Sequence, residues 1–281
     1  MARNFASALA LSILAAARAA GAQSAQPAQP APAATAAPAD AIPSHDSLSV
    51  PSRHVGETRR VLVHVPRAYA GGGARFPTLY MPDGGLDEDF PHVVNTVDSL
   101  IALGRIRPYI VVGIPNTERR RDLTGPTRVK SDSAIAAHVG GAGAFRAFIR
   151  DELIPAIDAR YRTSGERAIV GESLAGLFIL DTFLREPSLF PKSIALDPSV
   201  WWNANALVAE APSLFAGFDA APRRLFVATS SVADIAEGTR AIVASMPPRA
   251  GLRLEYQPRP DLTHGNIFRE VGPAALAWLL R

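Results

Sequence analysis

Cysteine is absent from the 281-residue chain. That excludes a disulfide scaffold, a thiol nucleophile, Cys-ligated zinc and iron–sulfur clusters. Lysine is nearly absent too: Lys130 and Lys192 stand alone among 29 basic residues, the rest being arginine. The arginines are scattered among 26 acidic residues and the net charge is only +3, so no basic stripe of the kind that tracks nucleic acid is present. Outside the extreme N-terminus no apolar run reaches the ~18–20 residues of a membrane span. His92, His138 and Asp87-Glu88-Asp89 do not fall at metal-ligand intervals. Gly140-Gly141-Ala142-Gly143 precedes a helical pattern but follows no strand, which excludes a dinucleotide-binding turn. What the chain does have is 48% hydrophobic and 20% charged residues, enough to build a sizeable core and too apolar for global disorder.

The N-terminus reads as a targeting segment. Arg3 supplies a charged start, Phe5 to Ala16 an apolar stretch, and Ala20-Gly21-Ala22 a small-residue cleavage site before Gln23, together predicting a secretory signal over residues 1–22. Export to the periplasm or the medium follows from it. Cleavage removes Arg3 and Arg18 and no acid, leaving a mature charge near neutral, so strong electrostatic steering of a charged partner is not expected. No Cys follows the apolar stretch, which excludes a lipoprotein anchor. Residues 23–43 are rich in Ala, Pro and Gln; they cannot bury enough surface to offset chain entropy and are predicted to be a disordered linker. The folded domain is then residues 44–281, a size that suits one α/β domain.

From Ser44 onward, β-type and helical patterns alternate. Asp46–Val50 and Arg59–Val65 suit a hairpin. Thr78–Met81, Tyr109–Ile114, Ala168–Gly171, Ser193–Leu196, Leu225–Thr229 and Leu252–Tyr256 are short apolar runs of the kind buried on both faces of a parallel sheet. Helical patterns lie between them at Val93–Leu103, Ala144–Tyr161, Leu174–Leu184, Asp234–Ser245 and Ile267–Leu280. The series predicts a doubly wound α/β domain of about eight mostly parallel strands with helices on both faces.

One junction stands out: Ala168-Ile169-Val170-Gly171-Glu172-Ser173-Leu174-Ala175-Gly176. A β-branched strand runs directly into a serine and then into an apolar helix, the arrangement of a nucleophile elbow. On so tight a turn the residues two before and two after the serine crowd each other and must be small, as Gly171 and Ala175 are. The helix N-terminus brings backbone N–H groups and a positive dipole end to the hydroxyl. A serine hydroxyl needs a base to take its proton and return it to the leaving group. In elbow folds the chain order is Ser, acid, His, and of six histidines only His264 follows Ser173. It sits in a loop between the last strand and the last helix, where a base would hang over the nucleophile. The acid is expected after the penultimate strand, which favours Asp234; Glu237 one turn on, Asp197 after the strand before, and a Ser–His dyad with no carboxylate remain open. The backbone N–H of Leu174 is expected as one oxyanion donor. The second is expected from Pro82-Asp83-Gly84-Gly85, with Gly84 allowing close backbone approach.

These segments together resemble the putative esterase (esterase D-like) family of α/β-hydrolases. Leu79 to Gly84 is similar to the family's strand and oxyanion segment, Gly171 to Gly176 to its nucleophile region. Ile114 to Thr124 resembles its Asn-Thr…Arg-Asp-Leu-Thr loop, with Gly125 inserted before Pro126. Asp197-Pro198-Ser199-Val200-Trp201-Trp202 is similar to a segment that begins with Ser in the family, so Asp197 is a departure. The loop and the tryptophan pair point to the siderophore-esterase-like branch. The resemblance implies an α/β-hydrolase fold, Ser173 and His264 as nucleophile and base, a small-molecule ester substrate and no cofactor. It leaves the acid undecided, as it does the choice between water and an alcohol or sugar as acyl acceptor. A non-catalytic siderophore or glycan binder on the same scaffold would need neither Ser173 nor His264. Arg119, Arg120 and Arg121 are placed to bind an anionic acyl or catecholate group bidentately, against the plainer view of a solvated basic loop. Of Trp201 and Trp202, one is expected in the core and one against the cleft. Oligomeric state leaves no mark on the sequence.

Overall fold

The computed structural model describes residues 40–281. The secretory signal expected over 1–22, and the expected linker as far as residue 39, lie outside the described residues. Asp40 pairs with Arg269 at 2.8 Å, and the Ala41 carbonyl accepts a hydrogen bond from Asn95 Nδ2.

Eight strands form one sheet: β1 (Asp46–Pro51), β2 (Thr58–His64), β3 (Phe76–Pro82), β4 (Ile110–Ile114), β5 (Thr163–Glu172), β6 (Lys192–Leu196), β7 (Arg223–Thr229) and β8 (Leu252–Pro258). Their spatial order is β1-β2-β4-β3-β5-β6-β7-β8. β1 and β2 pair antiparallel, β2 meets β4 antiparallel, and every later pair is parallel. The chain thus enters at the β1 edge, and its parallel part is wound from β3, first to β4 on one side and then through β5 to β8 on the other.

The central strands are apolar throughout because both of their faces are covered. On one face Leu79, Met81, Val111, Ala168, Val170, Leu196 and Ala228 pack under α1 (Phe90–Ala102) and α9 (Ile267–Leu279). On the other, Tyr80, Val112, Ile169, Ala195 and Val227 pack under α6 (Leu174–Arg185) and the helical run from Ala142 to Arg160. That run was expected to be one helix. It is α4 (Ala142–Phe148) and α5 (Ile154–Arg160) joined by a wide π-type turn over Ile149–Leu153. Pro155, which has no N–H to donate to the turn before it, sits just beyond the widening.

Two short helices, α2 (Arg119–Leu123) and α3 (Lys130–Ser133), lie in the long connection after β4, and α8 (Ala233–Ala244) follows β7. α7 (Trp202–Ala216) has no counterpart among the expected elements. Its start is irregular: Asn203, Ala204 and Asn205 all carry positive φ, and Pro212 lies inside it. Both features spoil the local helical signal. No helix among the described residues is long and apolar enough to cross a membrane.

Candidate active site

Ser173 ends β5 and starts α6 with φ 60° and ψ −122°, a conformation that costs a non-glycine residue roughly 1–3 kcal/mol. The surroundings impose it. Ser173 N–H donates to Leu196 O, Leu177 N–H donates to Ser173 O, and Ser199 N–H donates to the same carbonyl. A Cβ on Gly171 would stand 2.7 Å from the Ala175 Cβ, and one on Gly176 would stand 2.9 Å from Leu196 O. Small residues are therefore required on both sides of the serine, as the sequence pattern demands. The Leu174 N–H, at the first position of α6, takes no protein acceptor among the described residues, leaving it free for a developing oxyanion.

His264 reaches Ser173 from the loop after β8: its Nε2 lies 3.1 Å from Ser173 Oγ. Its Nδ1 lies 2.6 Å from Asp197 Oδ2. With a carboxylate at Nδ1, that nitrogen carries the hydrogen and Nε2 is left as the acceptor for Oγ–H. The Asp197 hydrogen bond, opposed by burial, holds the imidazole pKa above its ordinary value; the charge of Glu172 adds to the rise.

The carboxylate that meets His264 is therefore Asp197 and not Asp234, which was expected there. Asp234 is exposed in the first turn of α8, where its Oδ1 accepts from the Ile235 N–H. Glu237 is exposed as well. Asp197 is fully buried just past β6, with φ 43°. Its Oδ1 accepts the Ser230 N–H and its Oδ2 the Ser230 hydroxyl, both at 2.7 Å. Burial alone would push this carboxyl up, but the hydrogen bonds from His264 and Ser230 outweigh it and hold the pKa below the ordinary range. Ser199, which the sequence did not single out, places its Oγ 3.3 Å from Ser173 Oγ.

In the Pro82–Gly85 loop, the amide expected as the second oxyanion donor is already bound. Gly84 lies flat on β4: its N–H donates to Ile114 O at 3.1 Å, and a Cβ there would meet Ile114 N at 2.3 Å. Its amide is committed to the sheet. The Gly85 N–H instead donates to Glu88 Oε2 at 2.7 Å, a side-chain partner that can yield.

Each arginine of the cluster has a partner within the fold, although Arg120 is exposed and all three line a surface pocket with Glu118 and His138. Arg119 forms a two-pronged pair with Asp83, at 2.7 and 2.8 Å. Arg121 is shared among Glu57, Glu118 and Asp122, and Arg120 donates to Ile135 O. Behind them Arg59, almost fully buried, donates to Asp122, Thr117, Glu57 and Pro115 O. Asn116 Nδ2 donates to both Asp83 and Glu88. The motif thus fastens the β4 loop to the oxyanion segment; a free anion would have to displace a carboxylate already in place.

Trp202 is buried, and its Nε1–H donates to Gly125 O at 2.8 Å; Trp201 is half-buried beside it, the ring centroids 6.0 Å apart. Trp202 forms a wall of a cleft of about 480 Å³, together with Leu177, Arg128, Arg185 and Asn203. Ser173 is not in that wall, but Leu177 lies one helical turn from it. Among the described residues no group of three or more His, Asp or Glu could hold a metal ion.

A strained serine at a β–α junction, met by an imidazole that a buried carboxylate orients, on a sheet of this order, defines an α/β-hydrolase. The family described as "Putative esterase" matches residues 52–226, and the chain belongs to it. It is 28% identical over 170 residues to the uncharacterized protein YbbA of Bacillus subtilis, covering 59% of this chain and 67% of that one. It is 29% identical over 185 residues to the ferri-bacillibactin esterase BesA of the same organism, covering 59% and 62%. The chain thus spans about two thirds of the length of these curated relatives. Among solved structures, an IroE-like serine hydrolase from Shewanella oneidensis superposes with a TM-score of 0.75 at 26% identity, over 84% of this chain and 80% of that one.

Proposed function

We propose that this chain is a serine carboxylic-ester hydrolase working through an acyl-enzyme on Ser173. The observation that carries the proposal is the unbroken relay Asp197–His264–Ser173, with contacts of 2.6 and 3.1 Å. Ser173 Oγ attacks the ester carbonyl carbon while its proton passes to His264 Nε2. The oxyanion of the tetrahedral intermediate is held by the Leu174 N–H and, once Glu88 swings away, by the Gly85 N–H. Collapse breaks the bond to the leaving alkoxide, which takes the proton from His264. Water then attacks the acyl-enzyme, gives a proton to His264, and the carboxylic acid departs as Ser173 recovers it. Asp197 stays ionised and keeps Nε2 facing the serine.

Similarity to BesA supports a siderophore-type polyester of small size as the substrate class. A fluorophosphonate probe is expected to label the wild type and not Ser173→Ala; equal labelling of both would sink the acyl-enzyme. A panel of p-nitrophenyl acetate, a feruloyl ester and a catecholate trilactone then ranks substrates by kcat/KM, with the trilactone expected first. Export rests on the pattern of residues 1–22, and N-terminal sequencing of the protein recovered from the periplasm or medium is expected to begin at Gln23.

A further inference from the structure

Glu172 immediately precedes the nucleophile and has no part in the relay. By strand alternation it lies on the same sheet face as Val170, which packs among Phe90, Val93, Leu262 and Ile267. That is the face where α1 starts and where the loop carrying His264 returns. In the β5–β6 register Glu172 stands opposite Leu196, the neighbour of Asp197. Its Oε1 is buried and makes no hydrogen bond within the protein. A buried carboxylate oxygen left without a donor is costly and calls for an explanation.

The charges around it supply one. Asp83 and Asp89, from the β3–α1 connection, and Asp197, after β6, oppose its ionisation. Burial does so most strongly, and the main influence favouring ionisation is the imidazolium form of His264; together they push the carboxyl up to about 7. Arg119, from α2, is neutralised by Asp83, and Arg269, from α9, by Asp40. Asp89 itself is raised to about 6 by burial and by Asp83. Of the groups that bear on Glu172, His264 is thus the one that becomes cationic during the reaction.

We propose that Glu172 is a positioning residue for the base: its carboxylate is the second counter-charge, after Asp197, to the imidazolium that forms when Ser173 is deprotonated. This rests on the Ser173–His264 chemistry proposed above. With His264 neutral, Glu172 retains its own proton for part of the population; when His264 accepts the serine proton, the carboxyl releases its proton to solvent and the cation is balanced. The anion therefore delays the point at which His264 becomes a free base as pH rises, and it stabilises the charged ring in the transition state.

The test is the titration of the His264 ring by NMR in the Ser173→Ala background, the signal assigned by its loss in His264→Gln. Glu172→Gln is expected to lower the His264 midpoint by about half a unit or more, as loss of a nearby opposite charge does. In the enzyme with Ser173 intact, the acid limb of kcat/KM is expected to move down in pH by a similar amount. It should also sharpen from two linked ionisations to one, with a lower plateau. Should Glu172→Gln fold poorly, Glu172→Met serves the same comparison. An unchanged or raised His264 midpoint in a folded variant overturns the proposal. The NMR readout needs no turnover, so a wild type that hydrolyses no ester would sink the hydrolase proposal and leave this one to its own result.

Discussion

At the scale of single residues, the site turns on which carboxylate meets the imidazole. Asp197 is locked by two bonds from Ser230 and one to the ring, whereas Asp234 serves only the first turn of its own helix. Asp197→Asn is expected to cut kcat/KM roughly 10²- to 10⁴-fold, because an amide cannot fix the same ring tautomer. Asp234→Asn should stay within about twofold, since surface changes away from a site cost little. Assays of a p-nitrophenyl ester, with circular dichroism to confirm folding, separate the two; equal loss in both would remove Asp197 from the relay. The pH dependence has a definite sign. His264 must be neutral to act as base, and its pKa is raised from 6.5 by Asp197 against burial. Activity is therefore expected to be absent at low pH and to rise through a midpoint above 6.5; a midpoint well below that value would contradict the geometry. The sequence pointed to Ser173 and His264 because chain order and elimination identify them. It could not rank the acids, since Asp197 wins through a positive φ and a bond to Ser230 that only tertiary folding creates.

At the scale of elements, the strand–helix junctions depend on close backbone approach. Gly171 faces the Ala175 Cβ at 2.7 Å, so Gly171→Val forces the elbow apart. The expected outcome is a loss of about 1–3 kcal/mol in urea unfolding and a fall in probe labelling beyond what the stability loss explains. Retained labelling with unchanged stability would mean that the elbow is not crowded. The inner strands β3 to β7 were legible because burial on both faces writes short apolar runs into the sequence, whereas the edge strands β1 and β8 are exposed or half-buried over most of their length. The break between α4 and α5 was not legible, since a π-type turn leaves the apolar spacing nearly intact. α7 was hidden by its left-handed start at Asn203–Asn205 and by Pro212. The arginine loop was visible as a motif, but its partners Glu57 and Asp83 come from other segments, and only the fold shows that they pair with it.

At the scale of the whole molecule, the buried arginine network joins the hairpin of β1 and β2 to the rest of the sheet. Arg59 lies near the rings of Phe145 and Phe148 and within 2.5 Å of the buried Asp122. Arg59→Met is expected to cost about 3 kcal/mol or more, because Asp122 then loses its principal counter-charge in the interior. Replacing both residues, with Asp122→Leu, should recover part of that loss in thermal unfolding; additive losses would show that the pair does not act as a unit. His264, the proposed base, hangs beyond β8, an edge strand of the sheet. Its loop is moored to β7 and the turn after it through Arg259 N–H to Thr229 O and Ser231 N–H to Leu262 O. An edge strand has a neighbour on one side only, so this rim is expected to loosen before the interior melts. On heating, ester turnover should disappear several degrees ahead of the bulk helical signal and return on cooling, making catalysis the first casualty of warming and its most sensitive thermometer.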